Sequence, residues 1–139
     1  MDVDDLPRME FAFPGPLRDE LVAAVLSGTK TSTTGLAIDY EHENEPLPVV
    51  GQRYAVVDSA DRRVAVIEVT EVRVLRLADV DLRHVIDEGE GDESIAGWRA
   101  NHEKFWHGPQ LRAALDDPTF TVHDDTMVVA ERFQVVETD

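Results

Sequence analysis

In the segment "PLRDELVAAVLSG" the apolar residues Leu17, Leu21, Val22, Val25 and Leu26 recur three and four positions apart. That is the repeat of a helix with one buried face. Pro16 suits the first helical position and Gly28 the C-terminal stop. The next residues, "TSTTGLAI", are β-branched and short, which predicts a strand entering the core. "DYEHENEPLPVVG" is charged and carries prolines, so a loop is expected up to Gly51, where the strand "QRYAVVD" opens. "DSADRR" then reads as a hairpin turn.

The run "RVAVIEVTEVRVLRL" over 63–77 is the strongest β signal in the chain. Strict alternation places Val64, Val66, Glu68, Thr70, Val72 and Val74 on one face, with Ala65, Ile67, Val69 and Leu75 on the other. Both faces are largely apolar, as suits a curved strand covered on both sides. "DVDLRHVIDEGEG" predicts a short helix ended by Gly89. "DESIAGWRANHEKFWHG" predicts a second helix with Asp92 as N-cap, and "TMVVAERFQVV" a final strand. Residues 1–10, acidic and followed by the turn "FPGP", read as a flexible tail, leaving 11–139 as a single domain. The expectation is an α+β fold: a mostly antiparallel barrel with an N-terminal helix and a helical pair before the last strand.

Composition narrows the function. At 139 residues the chain is long enough for one core. No apolar run approaches the ~20 residues of a membrane span, and the N-terminus has neither the basic nor the apolar region of a secretory signal. With no cysteine, thiolate catalysis and cysteine-held zinc drop out together. The five histidines, His42, His84, His102, His107 and His123, show no H-x-x-x-H or H-x-E spacing, so no metal or other cofactor is expected. The formal net charge of −16 opposes polyanion coating, since that binding depends on Lys and Arg neutralising phosphates. A cytoplasmic protein with a small ligand in a locally positive site is expected, with no DNA and no membrane partner.

Lys30 stands out, one of two lysines in a chain that otherwise uses arginine. The segments "GTKTSTTGL", "GQRYAVVD", "VAVIEVTEV", "DEGEGDESIAGWRANHEKFW" and "MVVAERFQVV" carry a resemblance, in this order and spacing, to the ASCH-domain family, and above all to its longer bacterial members. The likeness runs from about Phe11 to Val136. It implies a PUA-like β-barrel with a cleft beside the first helix and a link to RNA-related binding or chemistry. A shorter relative removes the acyl group of N4-acetylcytidine with a lysine, a threonine and a glutamate. By that resemblance the catalytic set here is Lys30, Thr33 and Glu88. The shorter amidohydrolases carry an arginine soon after the threonine; here Thr33 is followed by Thr34, Gly35 and Leu36. A longer member is associated with cleavage of single-stranded RNA.

Amide hydrolysis needs an activated nucleophile, a proton shuttle and oxyanion stabilisation. A neutral lysine takes a proton from a hydroxyl and a charged one holds the oxyanion, so Lys30 serves in either state. The plainer reading of "GTKTSTTG" is a helix C-cap with Lys30 favoured by the helix dipole, and of "DEGEGDE" a solvated turn. Further candidates for ligand contact are Thr31, Ser32, Tyr54, Arg132 and Glu68, the last a rival carboxylate that otherwise faces solvent. Trp98 and His102, with Trp106, form a stripe four residues apart that stacks a base or simply packs. Arg99 binds phosphate or pairs with the acidic turn. Three readings follow: a metal-independent hydrolase of a modified nucleoside, a module that binds or cleaves single-stranded RNA, and a regulatory domain that binds a small ligand without turnover.

Overall fold

The computed structural model describes residues 5–138. Helix α1 (Pro16–Ser27) starts on Pro16 and stops at Gly28, whose left-handed backbone (φ 83°) lets its N–H reach Val25 O. Its buried face is narrower than the apolar pattern suggests: Arg18, Val22 and Val25 are covered, whereas Leu17 and Leu26 are exposed. Strand β2 (Ser32–Leu36) follows, and then α2 (Ala37–His42), a single short helix inside the segment expected to be loop. Strands β3 (Arg53–Val57) and β4 (Arg63–Arg76) form the expected hairpin. Helices α3 (Leu82–Asp87), α4 (Ile95–Trp106) and α5 (Pro109–Ala114) precede the last strand, β5 (Met127–Thr138). Ser94, rather than Asp92, caps α4 by accepting from Gly97 N–H; Asp92 instead accepts from the Asn101 amide at 2.7 Å. Among the described residues no helix is long and apolar enough to cross a membrane.

With β1 (Arg8–Met9), the five strands among the described residues make one mixed sheet in the order β1-β3-β4-β5-β2. Strand β1 lies parallel to β3, and the other pairs are antiparallel. Part of the segment read as a tail is therefore built into the sheet, with Leu6 buried beside Ala55 and Val66; residues 1–4 lie outside those described. The barrel expected from the sequence is not closed. Among the described residues no ladder joins β1 to β2, and the sheet ends on both.

The β4–β5 ladder shifts register twice, between Val66 and Ile67, where β5 carries the extra residue Val136, and between Val69 and Glu71, where β4 carries Thr70. Both faces of this part of β4 are covered, with Ala65 and Ile67 packed beside Phe11 and Phe133 and Val66 packed beside Leu6 and Ala55, so Ala65, Val66, Ile67 and Val69 are all buried. One core, with Phe11, Val22, Val25, Ile67 and Phe133, lies where α1 meets the sheet. A second gathers Leu36, Val85, Trp98, Trp106, Leu111 and Val128 where α3, α4 and α5 meet it.

The two sides are clamped where α3 ends against the start of β2. Thr31 N–H donates to Asp87 O at 2.8 Å. Gly89, at φ 67°, packs so closely that a Cβ there would sit 2.5 Å from Thr29 O and 2.8 Å from Lys30 N. Both neighbours are backbone and have no room to give. Gly28 also has positive φ, but a Cβ there meets nothing within 4 Å. Thermal and urea unfolding are expected to show Gly89→Ala costing more than about 2 kcal/mol, against about 1 kcal/mol for Gly28→Ala.

Candidate functional site

The clamp between α3 and β2 encloses a polar centre. Lys30, just before β2, is 2 % exposed, and its ammonium donates to Ser32 O at 2.9 Å, Glu88 O at 3.3 Å and Glu90 Oε2 at 3.3 Å. Glu88, at the end of α3 and 1 % exposed, places Oε1 3.6 Å from Lys30 Nζ. The burial of both charges is tolerable only because their hydrogen-bonding capacity is met from several elements.

Glu88 Oε2 accepts from Trp98 Nε1 on α4 at 2.7 Å and from Thr34 Oγ1 on β2 at 2.8 Å. Oε1 lies 3.3 Å from His102 Nε2. His84, one helical turn before Glu88, places Nε2 2.6 Å from Thr34 Oγ1 and 3.4 Å from Glu88 Oε2. Since Thr34 spends its proton on Glu88, the proton between Thr34 and His84 belongs to His84 Nε2. Burial opposes ionisation of Glu88, but the bonds to His102 and His84 and the Lys30 charge hold its carboxyl well below the usual range.

The proton-bearing groups lie beside this anion. Burial works against protonation of His102, yet its bond to Glu88 and the charges of Glu88 and Glu90 raise its pKa from 6.5. Its other nitrogen, Nδ1, meets Trp98 O at 3.0 Å, and its ring lies 4.3 Å from that of Trp98. Burial pushes the Glu90 carboxyl up; the Lys30 charge opposes this, and contact with the Glu88 carboxylate adds to the rise. Glu90 sits between Gly89 and Gly91, both at positive φ, with its side chain 23 % exposed. Glu88, Glu90 and His102 bring ligand-type atoms within 4.8 Å of one another, a grouping that could hold a metal ion. The Lys30 ammonium already supplies the positive charge at that point.

The two faces of β2 divide the threonines. Ser32, whose Oγ donates to His84 O at 2.9 Å, and Thr34 face α3. Thr33 faces the other way, opposite Glu131 in the β2–β5 ladder. The hydroxyl that touches Glu88 is thus Thr34's, while Thr33 borders a separate group with Glu131 and Tyr40. Thr31 Oγ1 lies 3.4 Å from Asp87 O, stitching α3 to the entry of β2. Arg132 pairs with Asp87 and lies 3.4 Å from Glu71, at the edge of the centre. Tyr54 is half-buried on β3, near Glu131. Glu68 is held by Arg53 at 3.1 Å, and Arg99 pairs with Glu103 and Asp124; neither touches Lys30 or Glu88. Thr34, His84 and Glu90 were not among the sequence candidates. The four-residue spacing of His84 and Glu88 on a predicted helix was the available signal for the histidine. A shallow depression of about 490 Å³ beside α5, lined by His107, Pro109, Arg112 and Asp116 among others, includes none of these groups.

The same architecture occurs in solved structures. A protein of Enterococcus faecalis V583 superposes with a TM-score of 0.81 at 24 % identity, over 95 % of this chain and 77 % of that one. The ASCH domain of Lactobacillus crispatus JV V101 gives 0.80 at 25 % identity, over 95 % and 80 %. No curated protein sequence matches the chain. The ASCH domain profile matches residues 9–137, nearly the whole length. With that match, this chain belongs to the ASCH domain family, a PUA-like fold.

Proposed function

We propose that the chain is a metal-independent hydrolase that cleaves an amide or acyl bond of a modified nucleoside or a related small ligand. The observation that carries this reading is the buried Lys30 ammonium, fixed by Glu88 on one side and bonded on the other to Glu90, a carboxyl on a two-glycine turn. Two of the three Lys30 donors go to the backbone carbonyls of Ser32 and Glu88. The third is released when Glu90 swings away, leaving a preorganised donor for a substrate carbonyl oxygen.

The carboxylates then take different roles. Glu88, strongly ionised and fully occupied, is a poor proton shuttle and serves to hold Lys30 and His102 in place. Glu90, raised and partly open to solvent, takes a proton from the attacking water. Oxygen adds to the carbonyl carbon, its negative charge settles against Lys30, and the C–N bond breaks as the leaving nitrogen gains a proton. His102, the raised imidazole beside Glu88, supplies that proton. Binding without turnover is the second reading, favoured by the near-complete burial of Lys30 and Glu88. A role on single-stranded RNA is opposed by the charge of −16.

Purified protein incubated with N4-acetylcytidine, other acyl nucleosides and single-stranded RNA is expected to release free acid from an acyl nucleoside. Lys30→Met lowers that rate by about 10³-fold. Because removing one partner of a buried pair costs about 3–5 kcal/mol, each variant is checked by thermal melting. Glu90→Gln keeps the fold and loses the rate, whereas Thr33→Val and Thr34→Val show which hydroxyl the reaction needs. RNA cleavage that survives Lys30→Met, with no acyl turnover, rejects the reading.

His102 adds a pH signature. Its folded pKa is raised above 6.5, so its stabilising contribution is complete below that value and is lost as pH rises through the raised one. The melting temperature of the wild type should exceed that of His102→Gln most at about pH 5.5, and the gap should close toward about pH 8.5. A gap that widens with pH contradicts the charged His102–Glu88 contact.

A further inference from the structure

The opposite face of β2 carries a second polar group that the reaction above leaves unused. Glu131 on β5 is 2 % exposed, directly opposite Thr33 in the ladder. Its Oε1 accepts from the Tyr40 hydroxyl at 3.0 Å, and its Oε2 is buried and accepts no hydrogen bond from the described residues. Tyr40 reaches it from α2 across Gly35, where a Cβ would already touch the phenol ring at 3.4 Å. Tyr54 stands nearby on β3: burial and the Glu131 charge push its hydroxyl up to about 12. Burial likewise pushes the Glu131 carboxyl up, against the Tyr40 bond.

A core position would ordinarily be filled by an apolar side chain or by an acid with both oxygens satisfied. Here an unsatisfied carboxyl oxygen is kept beside two phenols, on elements from three parts of the chain. A short series of contacts links the group to the Lys30 centre. Lys30 Nζ bonds Ser32 O, the carbonyl next to Thr33, and lies 5.6 Å from the Phe11 ring. Phe11 packs at 6.1 Å on Phe133, two residues beyond Glu131 on the same face of β5.

We propose that Glu131, flanked by Tyr40, Tyr54 and Thr33, is a recognition point for the hydrogen-bonding edge of a small planar nitrogen heterocycle, its Oε2 accepting a ring N–H or an exocyclic amine. This rests on the reading of the Lys30 centre as the site of a nucleoside-like ligand, and adds the group that selects the base. A carboxyl with one oxygen held and one unpaired reads a single donor, and the aromatic neighbours suit a flat uncharged ring. A phosphate is repelled at the same place, both by Glu131 and by the acidic chain. Ligand entry requires Tyr40 or Tyr54 to shift, since Oε2 is covered as the side chains stand.

The test is equilibrium binding, by calorimetry, of cytidine, uridine, adenosine and guanosine, each beside the form methylated on its edge nitrogen. The wild type is expected to prefer one base and to lose at least about tenfold in affinity when that base is methylated. Glu131→Gln turns the accepting edge ambiguous and lowers affinity for the preferred base by about tenfold, flattening the ranking while the melting temperature holds. Should Glu131→Gln fail to fold, Tyr54→Phe, which removes one half-buried hydroxyl, reads the same site through a smaller loss and a changed ranking. Equal binding of all four bases, no binding of any, or a variant with wild-type affinity and ranking overturns the assignment. Acyl turnover lost with Lys30→Met but untouched in KM by Glu131→Gln would defeat this inference alone and leave the hydrolase reading standing.

Discussion

A lysine and a glutamate, both almost entirely out of water, sit 3.6 Å apart at the junction of α3 and β2. Moving two such charges out of water costs several kcal/mol each, and mutual attraction recovers it only if every remaining donor and acceptor is served. This condition shapes the surroundings. Trp98 turns its indole N–H inward from α4, Thr34 and His84 approach from two sides, and two backbone carbonyls complete the ammonium. The glycine after Glu88 lets the end of α3 press against the chain at Thr29 and Lys30. Packing and electrostatics are therefore one problem here: the aromatic core formed by Trp98 and Trp106 also supplies a ligand to the buried acid.

A chain with so much negative charge repels anions at long range, yet its interior presents a positive point of short reach. Screening over roughly 8 Å at physiological salt keeps the two from contradicting each other. Under the function proposed above, such an arrangement favours ligands that are small and close to neutral. It also separates labour among the acids. The most buried, Glu88, is the most firmly ionised, because three or more partners stabilise its charge; Glu90 and Glu131, with fewer partners, are pushed the other way.

Much of this was legible in the residues. The three-and-four spacing of α1, the β-branched run of β4 and the Gly89 stop gave those elements with nearly their observed limits, and the quoted segments identified the family. The rarity of lysine, with one of only two placed beside a β-branched stretch, singled out Lys30 as a candidate. What failed did so where long-range contacts outrank local pattern. Alternation along β4 could not reveal the two register shifts of its ladder with β5, since they depend on how the two strands pair. The open sheet was hidden for the same reason, because closure is decided by which strands meet. The α2 helix lies in a proline-bearing charged segment and gains its place through Tyr40 and its contact with Glu131. Glu131 itself looked like an ordinary strand residue, as nothing in "VVAERF" shows that its side chain has no water to face.

Strand β2 is five residues long and sorts its hydroxyls by face: Ser32 and Thr34 point toward α3 and Thr33 toward Glu131. Which hydroxyl meets which acid is thus a matter of phase, fixed by the short link from Lys30 to Ser32. Adding or removing one residue in that link would leave the composition of the motif intact while exchanging the partners of its threonines. Family members that share the letters of this stretch but differ in its spacing would then present the same alphabet in an inverted order, with each hydroxyl turned to the opposite face of the sheet.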